Sequence, residues 1–358
     1  MFTLFKKQNA AMMLHQAGNK LIDENGNKVR LLGVNCATLE WTAWPPKELY
    51  RSICYACDNW YANIIRLPVA QDRWFGFGRD QEKDPSGEIY RQTVDEMVAA
   101  VAARGKYVII DLHRSNCNRW GEFVSGKHAD DGALVFWKDV ALRYHNHPNV
   151  IFDLYNEPFL IDWDTWLNGG MITLWYRDRD VGQQIMFAPD ENEATKSYTY
   201  HVPGMQRIAD VIRSTGAQNL LMIGGLDWAY ELDGIVNGHE VIDHGGNGIL
   251  LDSHLYPCKK LDEWDKLVTV AADKYPIILG ECGHYGEAPV KHEWPQFEES
   301  TTWVPKLLAW VDEHEYHVTA WDFHHKAGPP LVENLEDFTP TPFWGAYYKK
   351  FLAEHNGK

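Results

Sequence analysis

The chain has 358 residues, 45% of them apolar, and a formal net charge of −16. No run of about 18 apolar residues occurs, which excludes a membrane-spanning helix. The acidic balance argues against nucleic acid or an anionic membrane surface as partner.

In chain order, the first ten residues place lysines after apolar residues, the reverse of a secretory signal. The expectation is a secreted protein whose signal lies outside this sequence, with a cytoplasmic protein as the alternative. Residues 15–28 carry Glu24-Asn25-Gly26-Asn27, a hairpin turn signal, and are predicted to close the bottom of the fold. Eight strand-like apolar runs follow, at 29–35, 62–69, 107–113, 150–157, 220–225, 249–256, 277–281 and 318–323. Amphipathic stretches alternate with them at 47–58, 90–104, 133–145, 202–215, 261–274, 303–314 and 343–354, and the weakest helical pattern falls between the fifth and sixth strands. Near-continuous apolar strands alternating with helices imply a parallel (β/α)8 TIM barrel, here one domain over residues 1–358. The one long connection, 159–200 after strand four, is rich in aromatic residues, and such loops are usually lids or insertions.

Six cysteines are too few to hold a chain of this length together. Cys54 and Cys57 fall in a helical pattern with no second pair and read as buried helix residues. Cys36, Cys117, Cys258 and Cys282 each follow a strand end, which fits either one disulfide or free thiols beside a pocket.

Polar residues recur where a barrel places its site, at the carboxyl ends of the strands. Two are glutamates, Glu157 in Asn156-Glu157-Pro158 and Glu281 in Gly280-Glu281. A carboxylate at the lip of an apolar strand is costly for structure alone, and two facing carboxylates are what cleavage of a glycosidic bond requires. Arg66, His113, His254, Tyr256 and Trp321 share this position. A zinc site on the two histidines lacks a third ligand at suitable spacing, so neither metal nor cofactor is expected.

The set Arg66, His113, Asn156-Glu157-Pro158, His254-x-Tyr256, Glu281 and Trp321 resembles glycoside hydrolase family 5 of clan A, in family order from residue 29 to residue 321. The resemblance implies Glu281 as nucleophile and Glu157 as acid/base of a retaining mechanism. Arg66 and Tyr256 would hold the nucleophile ionised, and Asn156 would bond the sugar 2-hydroxyl. His113 and His254 would orient the sugar and the acid, and Trp321 would form the stacking floor. Trp44, Trp120, Trp163, Trp166 and Trp228 follow strand ends and are candidate subsite aromatics. The expected substrate is a β-linked polysaccharide or oligosaccharide, with endo-β-1,4-glucanase the leading activity. β-Mannanase, exo-acting β-glucosidase or β-diglycosidase, and a transglycosylase of the same clan are the alternatives. A non-catalytic carbohydrate-binding barrel would fit a chain lacking either glutamate. The 159–200 insertion is expected to pack over the cleft and limit one end of the substrate path.

Overall fold

The computed structural model describes residues 10–45, 47–78, 81–115, 126–178, 185–187, 191–259, 261–286 and 298–357. Strands β1 (Leu14–Ala17) and β2 (Lys20–Asp23) form an antiparallel hairpin, its turn held by Asp23, whose carboxylate accepts from the backbone of Asn25 and Asn27. Four barrel strands follow: β3 (Leu32–Asn35), β4 (Ile64–Ala70), β5 (Tyr107–Arg114) and β6 (Val150–Asp153). After them, β7 (Gly170–Asp178), β8 (Ile185–Phe187) and β9 (Lys196–Val202) make a separate antiparallel sheet. Strands β10 (Leu221–Gly224), β11 (Ile249–Leu255), β12 (Ile277–Cys282) and β13 (His317–Ala320) complete the barrel, and β10 pairs with β6 to close it. All barrel pairings are parallel. Among the described residues, no helix is long and apolar enough to cross a membrane.

Each strand is buried on both faces because alternate side chains point outward to the helices and inward to the axis. The outward set, including Ile65, Leu67, Val108, Ile110, Phe152, Ile223, Leu251 and Leu279, meets helices Glu48–Asn59, Glu88–Ala102, Gly132–Tyr144, Met205–Ser214, Ser300–Glu313 and Gly345–Asn356. The inward set begins with an apolar floor of Ile64, Ile109, Ile151, Met222, Leu250 and Ile278. Leu14 and Leu21 of the hairpin pack against that floor.

Three expectations need correcting. The helix predicted at 261–274 is broken into a 3-10 turn (Leu261–Glu263), a short helix (Trp264–Leu267) and a second 3-10 turn (Thr269–Ala271). The β-branched run Val268-Thr269-Val270 disfavours a continuous helix there. The helix predicted from 202 begins at Met205, because β9 runs to Val202 and Gly204, at φ +75°, turns the chain between them. The long connection is folded. Ile172, Leu174, Tyr200 and Val202 alternate inward on β7 and β9 and build a small core with Phe159, which is the period of a half-buried sheet.

The cysteine readings divide. Cys54 and Cys57 lie in helix Glu48–Asn59, Cys57 buried as expected and Cys54 only half-buried, and Cys36, Cys54, Cys57, Cys258 and Cys282 are all free thiols, so no disulfide joins the described cysteines. Cys117 lies outside the described residues.

Beside the barrel bottom, His317 is 4% exposed and its Nδ1 accepts the Leu31 backbone N–H at 2.9 Å. Burial pushes its pKa down to about 3, with the Arg30 and Lys28 charges adding to the effect. The unfolded chain therefore takes up a proton near the ordinary imidazole value of 6.5 that the folded chain refuses. This contribution is fully retained above that value and is lost progressively as pH falls toward 3. His317→Gln, which keeps an acceptor for Leu31, should lose less melting temperature than the parent between pH 6.5 and pH 4, as scanning calorimetry would measure.

Candidate active site

Above the apolar floor the inward positions turn polar. Asn35, Arg66, Asp111, Asp153, Asp252 and Thr319 are all fully buried. Arg66 organises them. Its Nε donates to Asp153 Oδ2 at 2.9 Å, and Nη1 donates to Asn35 Oδ1 and Glu281 Oε1, both at 3.0 Å. Nη2 donates to Asn156 Oδ1 at 2.7 Å and lies 3.0 Å from Asp111 Oδ2. Burial alone would lower the Arg66 pKa, but Asp111, Asp153 and Glu281 hold it well above its usual value. One cation cannot neutralise every carboxylate in this layer. Burial pushes Asp111 up to about 8 and Asp153 well above the carboxylate range, although Arg66 pulls both down.

The next inward turn faces a cleft of about 360 Å³ lined by His113, Asn156, Glu157, His254, Tyr256, Glu281 and Trp321, together with Trp228, Tyr285, Lys259 and others. All six of the predicted polar residues at this level reach it, as does Trp321, while Arg66 lies beneath as its support. Glu281 is held on both oxygens, by Arg66 at Oε1 and by the Tyr256 hydroxyl, which donates to Oε2 at 2.7 Å. Glu157 is more open, its side chain 27% exposed, with His254 Nδ1 2.9 Å from Oε1. Asn156 commits its carbonyl oxygen to Arg66, which leaves its amide nitrogen for a ligand. His113 Nδ1 lies 2.7 Å from Asp111 Oδ2, and its ring stacks on Trp321 at 5.5 Å between centroids. Burial lowers the His113 pKa to about 3, so this ring is neutral.

Glu157, His254 and Glu281 each offer an atom within 4.8 Å of the others, so the structure supplies the third donor that sequence spacing did not reveal. The histidine is nevertheless a poor ligand. Its Nδ1 is engaged with Glu157 and its Nε2 lies 3.1 Å from Asp252 Oδ2. Burial lowers its pKa, but the Glu281 and Asp252 charges outweigh that and hold it well above the usual value. With both ring nitrogens turned to carboxylates, the imidazole has no free lone pair to offer a cation.

The aromatic candidates separate. Trp228 lines the cleft and stacks on Phe159 of the insertion at 4.8 Å. Trp166 is fully buried and its indole N–H donates to Gly224 O at 3.1 Å, so it is a core anchor with no face for a sugar. Trp163 packs edge-on to Trp166 and against Gly234, away from the cleft. Trp44 is 38% exposed and is not part of the cleft lining. Trp120 lies outside the described residues. No described residue of the insertion lines the cleft; Phe159 reaches its wall by stacking on Trp228. The expectation that it covers one end of the path is therefore not met by the residues described.

Sequence reading passed over Asn35, Asp153 and Asp252 and assigned Asp111 no role. The available signal was a charge at an inward position of an otherwise apolar strand, as in Val150-Ile151-Phe152-Asp153 and Ile249-Leu250-Leu251-Asp252. Tyr285, whose hydroxyl donates to Gly328 O at 3.0 Å, was missed for want of any such pattern.

A sequence profile of the family described as Cellulase (glycosyl hydrolase family 5) matches residues 22–327. The chain belongs to glycosyl hydrolase family 5. It is a glycoside hydrolase built on the (β/α)8 barrel. An endoglucanase of Paenibacillus polymyxa is 23% identical over 365 aligned positions, covering 91% of this chain and 83% of that protein. Endoglucanase MaCel5A of a Microbulbifer species is 29% identical over 157 residues, 42% of this chain and 27% of its own length. The family 5 chain thus spans most of the first relative and about a quarter of the second. A β-glucanase from Saccharophagus degradans superposes with a TM-score of 0.70 at 21% identity, covering 99% of this chain and 98% of that one, a likeness of fold.

Arg66 supplies donors to five side chains, Asn35, Asp111, Asp153, Asn156 and Glu281. A lysine ammonium has three donors and cannot replace that planar fork. Arg66→Lys should leave at least two buried acceptors unsatisfied and cost about 2–6 kcal/mol of stability. Urea unfolding of the variant, alongside its hydrolytic rate, tests this; an unchanged midpoint would contradict it.

Proposed function

We propose that this family 5 hydrolase is a retaining endo-β-1,4-glucanase. The observation that carries the reading is the pair of carboxylates, with oxygens of Glu157 and Glu281 within 4.8 Å of each other and held in different ways. Retaining glycosidases place their carboxyl groups about 5–5.5 Å apart, whereas inverting ones leave about 6.5–9.5 Å for a water. The geometry favours direct attack by one carboxylate.

Glu281 fits the nucleophile, because Arg66 and Tyr256 donate to both of its oxygens and stabilise its charged form. Glu157 fits the acid/base. In the first step Glu281 bonds to the anomeric carbon as the glycosidic bond breaks, and Glu157 passes its proton to the departing oxygen. In the second step Glu157 takes a proton from water, the water oxygen attacks the anomeric carbon, and the bond to Glu281 breaks. Asn156 is available to bond the sugar 2-hydroxyl, and Trp321, which lines the same cleft, is the candidate stacking surface for a pyranose.

The substrate class draws on the relatives. The relatives named above are endoglucanases by description, and the Saccharophagus β-glucanase has been solved with cellotetraose.

Proton NMR of freshly released sugar should show the β-anomer first, before mutarotation; an initial α-anomer would refute retention. Glu281→Gln should abolish turnover. Glu157→Ala should keep activity on aryl cellobiosides with good leaving groups and yield β-cellobiosyl azide when azide is added. Viscosity of soluble β-1,4-glucan should fall well before reducing ends accumulate, and faster than that of β-mannan.

A further inference from the structure

Among the buried groups that this mechanism leaves unused, Asp252 stands apart because it touches the supports of both glutamates. It is fully buried on β11, with the apolar Leu250 below it and His254 above it on the same inward face. Its Oδ1 accepts the backbone N–H of Gly280 at 2.7 Å, one residue before Glu281. Its Oδ2 lies 3.1 Å from His254 Nε2. Both atoms are buried and neither makes a regular hydrogen bond among the described residues, so this close charge contact is what each of them has.

The strand pairing shows why this position matters. Asp252 pairs with Ile278, but His254 pairs with Glu281, so β12 carries one extra residue across this step. Such a bulge re-aims the side chains that follow it. The Asp252 carboxylate occupies the space beside the bulge. A Cβ on Gly280 would stand 2.3 Å from Asp252 Oδ1, which is why glycine is required there. On its other side, the contact to Nε2 fixes which ring nitrogen faces the carboxylate and presents Nδ1 to Glu157 at 2.9 Å. An acceptor behind a histidine fixes the orientation of its ring.

We propose that Asp252 is the positioning residue of the acid/base step: it orients His254 so that Glu157 is held to deliver and recover its proton, while anchoring the bulge that aims Glu281. The inference rests on the roles assigned above to Glu157 and Glu281. Asp252 itself does not line the cleft and touches no substrate. The ring it orients is tied to three carboxylates, since His254 Nδ1 also lies 3.7 Å from Glu281 Oε2.

Asp252→Asn is the direct test. An amide oxygen can still accept from Gly280, but the amide nitrogen cannot accept from His254. Rates would be compared on a series of aryl cellobiosides from 2,4-dinitrophenyl, which needs no protonation, to phenyl, which does. The variant should lose kcat/KM on phenyl cellobioside roughly tenfold or more beyond its loss on the dinitrophenyl compound, a part of the effect of general acid catalysis. In the Glu157→Ala background the same substitution should add no further dependence on the leaving group. A uniform loss across the series, or no loss, would overturn the proposal, because a purely structural role lowers all rates together. If the asparagine variant does not fold, Asp252→Ser, smaller and still an acceptor for Gly280, reads the same slope. The underlying role assignment fails separately: Glu157→Ala would then show no rescue by azide, whatever Asp252→Asn does.

Discussion

The whole inner architecture depends on burying one guanidinium. Arg66 is fully enclosed, and a buried cation without partners would be prohibitively costly. Its partners come from β3, β5, β6, the segment after β6, and β12, so placing them fixes the relative positions of strands far apart in sequence. Asn35 extends the same net, its amide nitrogen donating to Gly280 O at 2.8 Å and Thr319 O at 2.7 Å. The site is therefore not a set of side chains perched on a finished barrel. Its lower layer is what closes the upper half of the barrel.

That layering also resolves an energetic conflict. An apolar axis would pack well but offer no means of holding an ionised carboxylate, and a polar axis throughout would forfeit the hydrophobic driving force. Here the floor packed against the hairpin is apolar, the middle layer pairs charges with amides, and only the upper layer opens to the cleft. Glu281, reached from below by Arg66 and from the side by Tyr256, is the point where the buried net meets solvent. Among the described residues, Glu157 is tied to the same net through His254. The two carboxylates differ in environment because they differ in how many fixed donors reach them.

Much of this was legible in the chain. The alternation of apolar runs with helical patterns located all eight barrel strands, and residues at the strand ends, from Arg66 to Trp321, do converge on one cleft or support it. The illegible parts have physical causes. Asp153 lies between Phe152 and Leu154 and Asp252 between Leu251 and Ser253, so their inward direction appears only once the register is known. The bulge before Glu281 inserts a residue that no periodicity in Ile277-Ile278-Leu279-Gly280 announces. Trp163 and Trp166 follow a strand end just as Trp228 does, yet two pack inward and one faces the cleft. Position after a strand says where a residue starts, and tertiary packing decides which way it faces.

Trp228 shows what the insertion contributes without lining the cleft. Asp227, Trp228 and Ala229 all have positive φ, between +52° and +61°, a left-handed run without glycine. Each such residue costs on the order of 1–3 kcal/mol unless its surroundings impose the conformation. Several contacts do so here. The Trp228 N–H donates to Pro158 O at 3.0 Å, antiparallel bridges pair Gly225 with Ala229 and Leu226 with Glu231, and Lys259 forms an ion pair with Asp227. The Lys259 ammonium also lies 4.7 Å from the centre of the Tyr230 ring. Phe159 then stacks on the indole from the insertion's own core, where Ile172, Leu174 and Val202 brace it. The sheet of β7, β8 and β9 thus acts as a buttress behind the cleft wall. Because Phe159 lies two residues beyond Glu157, the chain that carries the more open carboxylate also begins the brace that holds the aromatic wall beside it.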